Sequence, residues 1–206
     1  MDRIGVSALV VWLLCLVNAQ GAYGQDGMIE RTDYFPFRVQ LVGEITIDAP
    51  LEVVWEILVD SAAYEEWNPT IFAVEPVDAD LTAMGERRRL VVPGRWGSRK
   101  QWVVIHQARA PGHADEDDPA YDQDGHHVAA AWAYGTDDLS ARWNWYSVTR
   151  GHQLWTTDDG LTRLQVVEDV QGFIWTAPLG LSQDVLQDFL GSLRERAETL
   201  TQGAGR

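Results

Sequence analysis

Between Ile47 and Pro69 the chain changes periodicity, and that change limits what it can fold into. Residues 37–47 alternate, with Phe37, Val39, Leu41, Ile45 and Ile47 on one face and Arg38, Gln40, Glu44 and Thr46 on the other, the period-2 pattern of a half-buried strand. Pro50 then suits a first helical position, where its missing N–H costs nothing, and Glu52 sits where negative charge favours a helix start. Leu51, Val54, Trp55 and Leu58 follow at i, i+3, i+4 and i+7, one apolar face. Asp60 suits the cap of a second short helix carrying Tyr64 and Trp67, which Asn68-Pro69 ends.

Beyond Ile71 the pattern is strand-like almost to the end. Strands are expected over 70–75, 86–92, 98–108, 128–134, 142–156 (with a possible break at Gly151) and 162–171. Turn residues separate them, including Met84-Gly85, Pro93-Gly94, Gly135 and Asp158-Asp159-Gly160. The last element, over 182–202 with Ser182 as cap, is a helix whose stripe is Leu186, Phe189, Leu190, Leu193, Ala197 and Leu200. The expected class is α+β: a curved antiparallel sheet of about six to seven strands around one long C-terminal helix, with two short helices after the first strand. One amphipathic helix cannot fill the concave face of such a sheet, so a cavity should remain.

Ala49-Pro50, Val54-Trp55, Asp60, Tyr64 and Trp67-Asn68-Pro69, in that order, resemble the signature of the START-like superfamily, also called SRPBCC, in its polyketide cyclase/dehydrase and lipid-binding branch. The likeness spans roughly residues 37–202 and continues more weakly through Asp159-Gly160-Leu161-Thr162 and Pro178-Leu179-Gly180. It implies the helix-grip fold and an internal pocket for a small hydrophobic or aromatic ligand, such as a lipid, isoprenoid or polyketide-like molecule. An alternative within the same resemblance is a cyclase, aromatase or dehydratase acting on a polyketide-like carbonyl compound.

Composition narrows the partners. Sixteen basic residues face thirty-one acidic ones, a net charge of −15, which argues against a nucleic-acid surface or an anionic membrane. Residues 1–24 read as a cleavable secretory signal: Arg3, then an apolar run of about 14 residues over 4–17, too short for a membrane span of ~20. Cleavage would follow Ala19 or Gly24, giving a secreted or periplasmic protein with no stable membrane insertion. An uncleaved anchor is the other reading. Cys15, the single cysteine, falls inside this segment, so the mature chain would lack disulfides, thiol nucleophiles and cysteine-ligated metal. Residues 25–36 are expected to be a flexible lead-in, and 37–206 the ligand-binding domain.

Of ten tryptophans only Trp12 lies in the leader, and five of the rest (Trp102, Trp132, Trp143, Trp145 and Trp155) fall in the expected strands. Aromatic walls with a few convergent polar groups describe a small-molecule pocket, and the ligand-binding candidates are Tyr64, Trp67, Trp96, Trp102, Tyr134 and Tyr146. Two candidates for proton transfer come from strand parity. Glu168 shares a face with Leu164, Val166 and Val170; facing inward it would be partly desolvated, which favours a role as general acid or base. His106 shares a face with Lys100, Trp102 and Val104. Lys100, the only lysine, lies at the rim, a poor position for Schiff-base chemistry. The 93–97 turn, with Arg95 and Trp96, is a candidate pocket mouth.

No cofactor or metal is expected. The 113–127 stretch fails the calcium-loop pattern, with Ala120 and Ala131 where acidic ligands belong; it reads as a solvated acidic insertion, or a surface for another protein. Nucleophile-elbow, phosphate-loop and dinucleotide glycine motifs are absent.

Overall fold

The computed structural model describes residues 20–24, 27–34, 38–75, 85, 87–94, 97–112, 128–136, 146–172 and 183–204. Among them, nine strands form one antiparallel sheet: β1 (Gln20–Gly24), β2 (Gly27–Tyr34), β3 (Arg38–Ile47), β4 (Ala73–Glu75), β5 (Arg87–Gly94), β6 (Gly97–Arg109), β7 (Ala130–Thr136), β8 (Tyr146–Thr156) and β9 (Thr162–Gly172). Their spatial order is β1-β2-β3-β9-β8-β7-β6-β5-β4. The first strand of the expected domain, β3, therefore pairs with the last, β9, and every later strand follows as a meander. The helices among the described residues are α1 (Leu51–Val59), α2 (Tyr64–Trp67) and α3 (Gln183–Ala204), with a 3-10 turn at Ser61–Ala63.

The sheet has two strands more than the upper end of the expected count, and both lie at its N-terminal edge. Residues 27–34, expected within a flexible lead-in, pair with β3 from Gly27↔Ile45 to Tyr34↔Arg38, and β1 pairs in turn with β2. Ile29 is buried in β2, whereas Glu30, Arg31 and Thr32 are not. Backbone ladder bonds rather than alternating apolar side chains define this edge, which is why periodicity did not reveal it. Strand β8 runs unbroken through Gly151, which pairs with Ala133 and Val167.

Local chemistry explains the turn from sheet to helix. Pro50 stands just before α1, and its carbonyl accepts the first helical bonds from Val53 and Val54 at 3.1 and 3.2 Å. The Asp60 carboxylate accepts from the Ala62 N–H at 3.2 Å and thereby starts the 3-10 turn. Asn68 Oδ1 accepts from both the Thr70 N–H (2.9 Å) and the Thr70 hydroxyl (2.8 Å), a side-chain-mimicked turn that stops α2 and redirects the chain into β4.

The core lies between the inner face of the sheet and helices α1 and α3. In β3 the alternation of the sequence holds: Val39, Leu41, Ile45 and Ile47 are buried. In α3 Leu186, Phe189, Leu190, Leu193 and Ala197 are buried, but Leu200, the last of the expected stripe, is 45 % exposed because the helix there has run past its neighbours. On the other face, Arg163 grips Glu44 (2.8 and 2.9 Å) and Arg38 grips Asp169 (2.9 Å twice), bracing β3 against β9 at half-exposed positions where each pair adds little stability.

Gly43 sets how closely α3 approaches the sheet. A Cβ built there would stand 2.9 Å from side-chain carbons of both Leu186 and Leu190. Gly43→Val is therefore expected to lower stability by about 1–3 kcal/mol through overpacking, measured as a reduced urea midpoint with unchanged slope. A midpoint equal to that of the parent protein would show that α3 does not depend on this contact.

Candidate functional site

The strands place an unusual row of polar side chains across the inner face. Register sets Glu168 of β9 opposite Arg150 of β8, and Arg150 opposite Tyr134 of β7. All three side chains are buried in a largely apolar interior. The Arg150 guanidinium donates to Glu168 Oε2 at 2.9 Å and to the Thr70 hydroxyl at 3.2 Å, so it ties the sheet to the turn that follows α2. Its Cζ lies 5.3 Å from the ring centre of Phe189, which comes down from α3 and covers the pair.

Burial works against the charge on Arg150, but the adjacent Glu168 carboxylate, together with Tyr134, holds its proton more tightly than in water. The pair is thus a fixed, internally neutralised dipole. Burial also raises both phenols, Tyr64 well above its ordinary value and Tyr134 more moderately, with Arg150 pulling each back. Both remain protonated at neutral pH. The Tyr64 hydroxyl is committed, donating to the Leu58 carbonyl at the end of α1.

One register step along, His152 sits opposite Trp132 and is 2 % exposed. Its Nδ1 lies 3.1 Å from the Trp132 carbonyl, which only accepts, so Nδ1 carries the proton and donates. Burial, and secondarily the nearby Arg150, push the imidazole down to about 3. Its ring stacks on Trp132 (centroids 5.1 Å apart, 29° between planes) and lies 5.9 Å from Phe189. Trp67 reaches the same ring of aromatics from α2, 5.7 Å from Phe189 and edge-on to Tyr64 at 5.3 Å.

A cavity of about 10 Å³ adjoins this cluster, room for a single water. Its hydrocarbon wall is Ile71, Val74, Leu90, Val103 and Ile105; Tyr64, Tyr134, Trp132 and the buried Arg88 complete it.

Of the residues singled out from sequence, Glu168, Tyr64, Trp67 and Tyr134 converge on this interior. His106 and Trp102 do not. They share a face with Lys100, as parity indicated, but it is the outer one; Gln101, Val103 and Ile105 turn inward. His106 is the extra residue of a bulge between Ile105 and Gln107, is exposed, and lies over Gly135. Arg89 and Arg87 cover the Trp102 ring from 4.4 and 5.5 Å, and Lys100 pairs with Glu75 on the same outer face. The Trp96 position and the 113–127 stretch lie outside the described residues, as does the Tyr146 side chain. Among the described residues no three His, Cys, Asp or Glu side chains gather as a metal site, and no helix is long and apolar enough to cross a membrane.

Sequence reading missed Arg150, His152, Arg88 and Thr70. The signal for the first two was present: Val148, Arg150, His152 and Leu154 alternate with Thr149, Gly151 and Gln153, so one face carries an arginine and a histidine beside aliphatic residues.

A curved antiparallel sheet with paired short helices after β3 and a long C-terminal helix defines the START-like helix-grip fold, and this chain has it. Among solved structures it is similar to a START superfamily protein from Mycobacterium smegmatis (16 % identity, TM-score 0.51, 80 % of this chain and 98 % of that one). It is likewise similar to major latex-like protein 151 from Panax ginseng (11 %, 0.54, 80 % and 98 %) and to truncated norcoclaurine synthase from Thalictrum flavum (7 %, 0.52, 77 % and 92 %). No protein-family model matches the sequence, and no curated protein does.

Proposed function

We propose that the protein is an exported helix-grip binder that holds one small hydrophobic or aromatic molecule between the inner sheet face and α3. The observation that carries this reading is the buried polar row itself. Glu168, Arg150 and Tyr134, the last of them in the cavity wall, lie in an interior where apolar residues of similar volume would serve stability as well or better. A few fixed polar groups in an aromatic wall suit orientation of a ligand. Because the described cavity holds only a water, a larger guest seated there has to displace side chains, and the four-residue α2, which carries the cavity-lining Tyr64, is one short element whose shift would enlarge it. Export rests on the apolar 4–17 segment; cleavage after Ala19 would leave β1, which begins at Gln20, in the mature sheet.

Titration with lipids, isoprenoids and polyketides, followed by tryptophan fluorescence, tests the binding reading. A saturable change is expected, since Trp67 and Trp132 both border the interior. Flat titrations across all three classes would remove it.

The second reading is catalysis on a carbonyl compound. A synthase shares the fold, and the protonated Tyr134 beside Arg150 is a donor suited to a developing oxyanion. Loss of turnover in Glu168→Gln with binding retained would favour it over simple binding.

A further inference from the structure

The cavity lies on a seam. Tyr64 lines it from the start of α2 and Ile71 from the turn that follows, whereas Leu90, Val103, Ile105 and Tyr134 line it from β5, β6 and β7. Lifting residues 65–71 away from the sheet would therefore enlarge it.

These residues have little of their own to hold them down. A single turn of helix is not stable alone, and no side chain caps the start of α2. Toward α3, Trp67 leans on Phe189 with ring centres 5.7 Å apart. Glu66 pairs with Arg196 at 2.9 Å, but at an exposed position where water screens the charges. The two ends of the segment are tied more firmly. The Tyr64 hydroxyl donates to the Leu58 carbonyl at the end of α1, and the Phe72 N–H donates to the Val91 carbonyl of β5 at 2.8 Å.

Between those ends, the contact with the middle of the sheet is polar and directional. Thr70 is buried. Its hydroxyl has one proton, which goes to Asn68 Oδ1 at 2.8 Å, so it meets Arg150 as an acceptor, 3.2 Å from the guanidinium. Arg150 is anchored on its other side by Glu168 of the neighbouring strand, at 2.9 Å. The ordered chain Glu168–Arg150–Thr70–Asn68 thus runs from the sheet into the turn across the same seam that holds the cavity.

We infer that the hydrogen bond from Arg150 to Thr70 is a latch that holds residues 65–71 against the sheet, and that its release opens the cavity to a guest. The guest's part rests on the binding reading above; the latch itself does not. While the segment is closed, loss of the Thr70 oxygen leaves a buried guanidinium N–H unmet, whereas in the open form water meets it. Removing that oxygen therefore favours opening, and a serine in its place restores closure.

Thr70→Val and Thr70→Ser in the full chain test this. The Asn68 N–H, which donates to the Tyr64 carbonyl at 2.8 Å, reports the segment through its hydrogen exchange. Thr70→Val is expected to speed exchange at Asn68 about tenfold beyond any change at the amides of β9, which report global unfolding, while Thr70→Ser follows the parent protein. Stopped-flow mixing with N-phenyl-1-naphthylamine, a neutral apolar fluorophore, should show entry and exit both quickened in Thr70→Val, since one opening serves both. Exchange at Asn68 that stays level with β9 in Thr70→Val overturns the latch, whether or not the probe binds. So does a Thr70→Ser variant that exchanges as fast as Thr70→Val. Faster exchange with unchanged probe kinetics overturns the gating role, because the guest then enters elsewhere. Faster exchange with no guest bound, by this probe or by the three classes above, supports the latch and overturns the binding reading instead.

Discussion

Arg150→Met is expected to destabilise the protein by about 3–5 kcal/mol, because it leaves the Glu168 carboxylate buried with no countercharge. The pair is well placed for so large an effect: both side chains are 6 % exposed, so water screens neither. The loss should not be read as the value of the ion pair. Replacing both partners, as Arg150→Met with Glu168→Leu, is expected to recover most of it, since burial of two charges is nearly balanced by their attraction and hydrocarbon of similar volume packs as well. Urea unfolding of the two single variants and the double variant gives the coupling energy directly. A single variant within 1 kcal/mol of the parent protein would mean that the interior is wetter than its burial indicates. If the double variant is as stable as the parent but no longer binds, the row is retained for function.

The sequence carried much of this architecture. The period-2 run ending at Ile47, the apolar face of α1, the Asp60 cap and the α3 stripe as far as Ala197 each follow from one local rule, and the structure agrees with them, with Leu200 the exception. Parity also grouped Glu168 with Leu164, Val166 and Val170, and that face is the buried one. The same reasoning chose the wrong face of β6 for Trp102 and His106, because alternation shows which residues share a face and not which face is buried; the inner set is Gln101, Val103 and Ile105. What hid the answer was Trp102, a large aromatic on the outer face that two arginines cover in place of a core. Arg150 was obscured for the opposite reason: a buried cation makes sense only once Glu168 is known to lie one strand away, a long-range pairing that no local pattern encodes. The edge strands β1 and β2 were hidden by polarity, since an edge needs backbone partners more than apolar side chains.

His152 predicts a specific acid sensitivity. In the unfolded chain an imidazole titrates near 6.5, whereas in the folded protein burial and Arg150 push it down to about 3. At pH 7 both states are neutral there and the group adds no pH dependence. As pH falls below about 6.5 the unfolded chain takes up a proton that the folded chain refuses, so stability declines steadily until the folded imidazole also titrates near pH 3. Over the whole window the loss is on the order of 5 kcal/mol. Carboxylates also titrate in the lower half of this range, so the decisive measurement is a difference. His152→Phe keeps an aromatic ring against Trp132 and Phe189 but leaves the Trp132 carbonyl without its donor, and should be less stable at pH 7 by about 1–3 kcal/mol. From pH 7 to 5, however, its stability should fall less steeply than that of the parent protein. The two curves should therefore converge, and cross if the imidazole is as firmly excluded from protonation as its surroundings indicate. Parallel curves over that interval would mean that the folded protein opens to admit the proton, and that the aromatic ring around His152 is not the closed interior its packing describes.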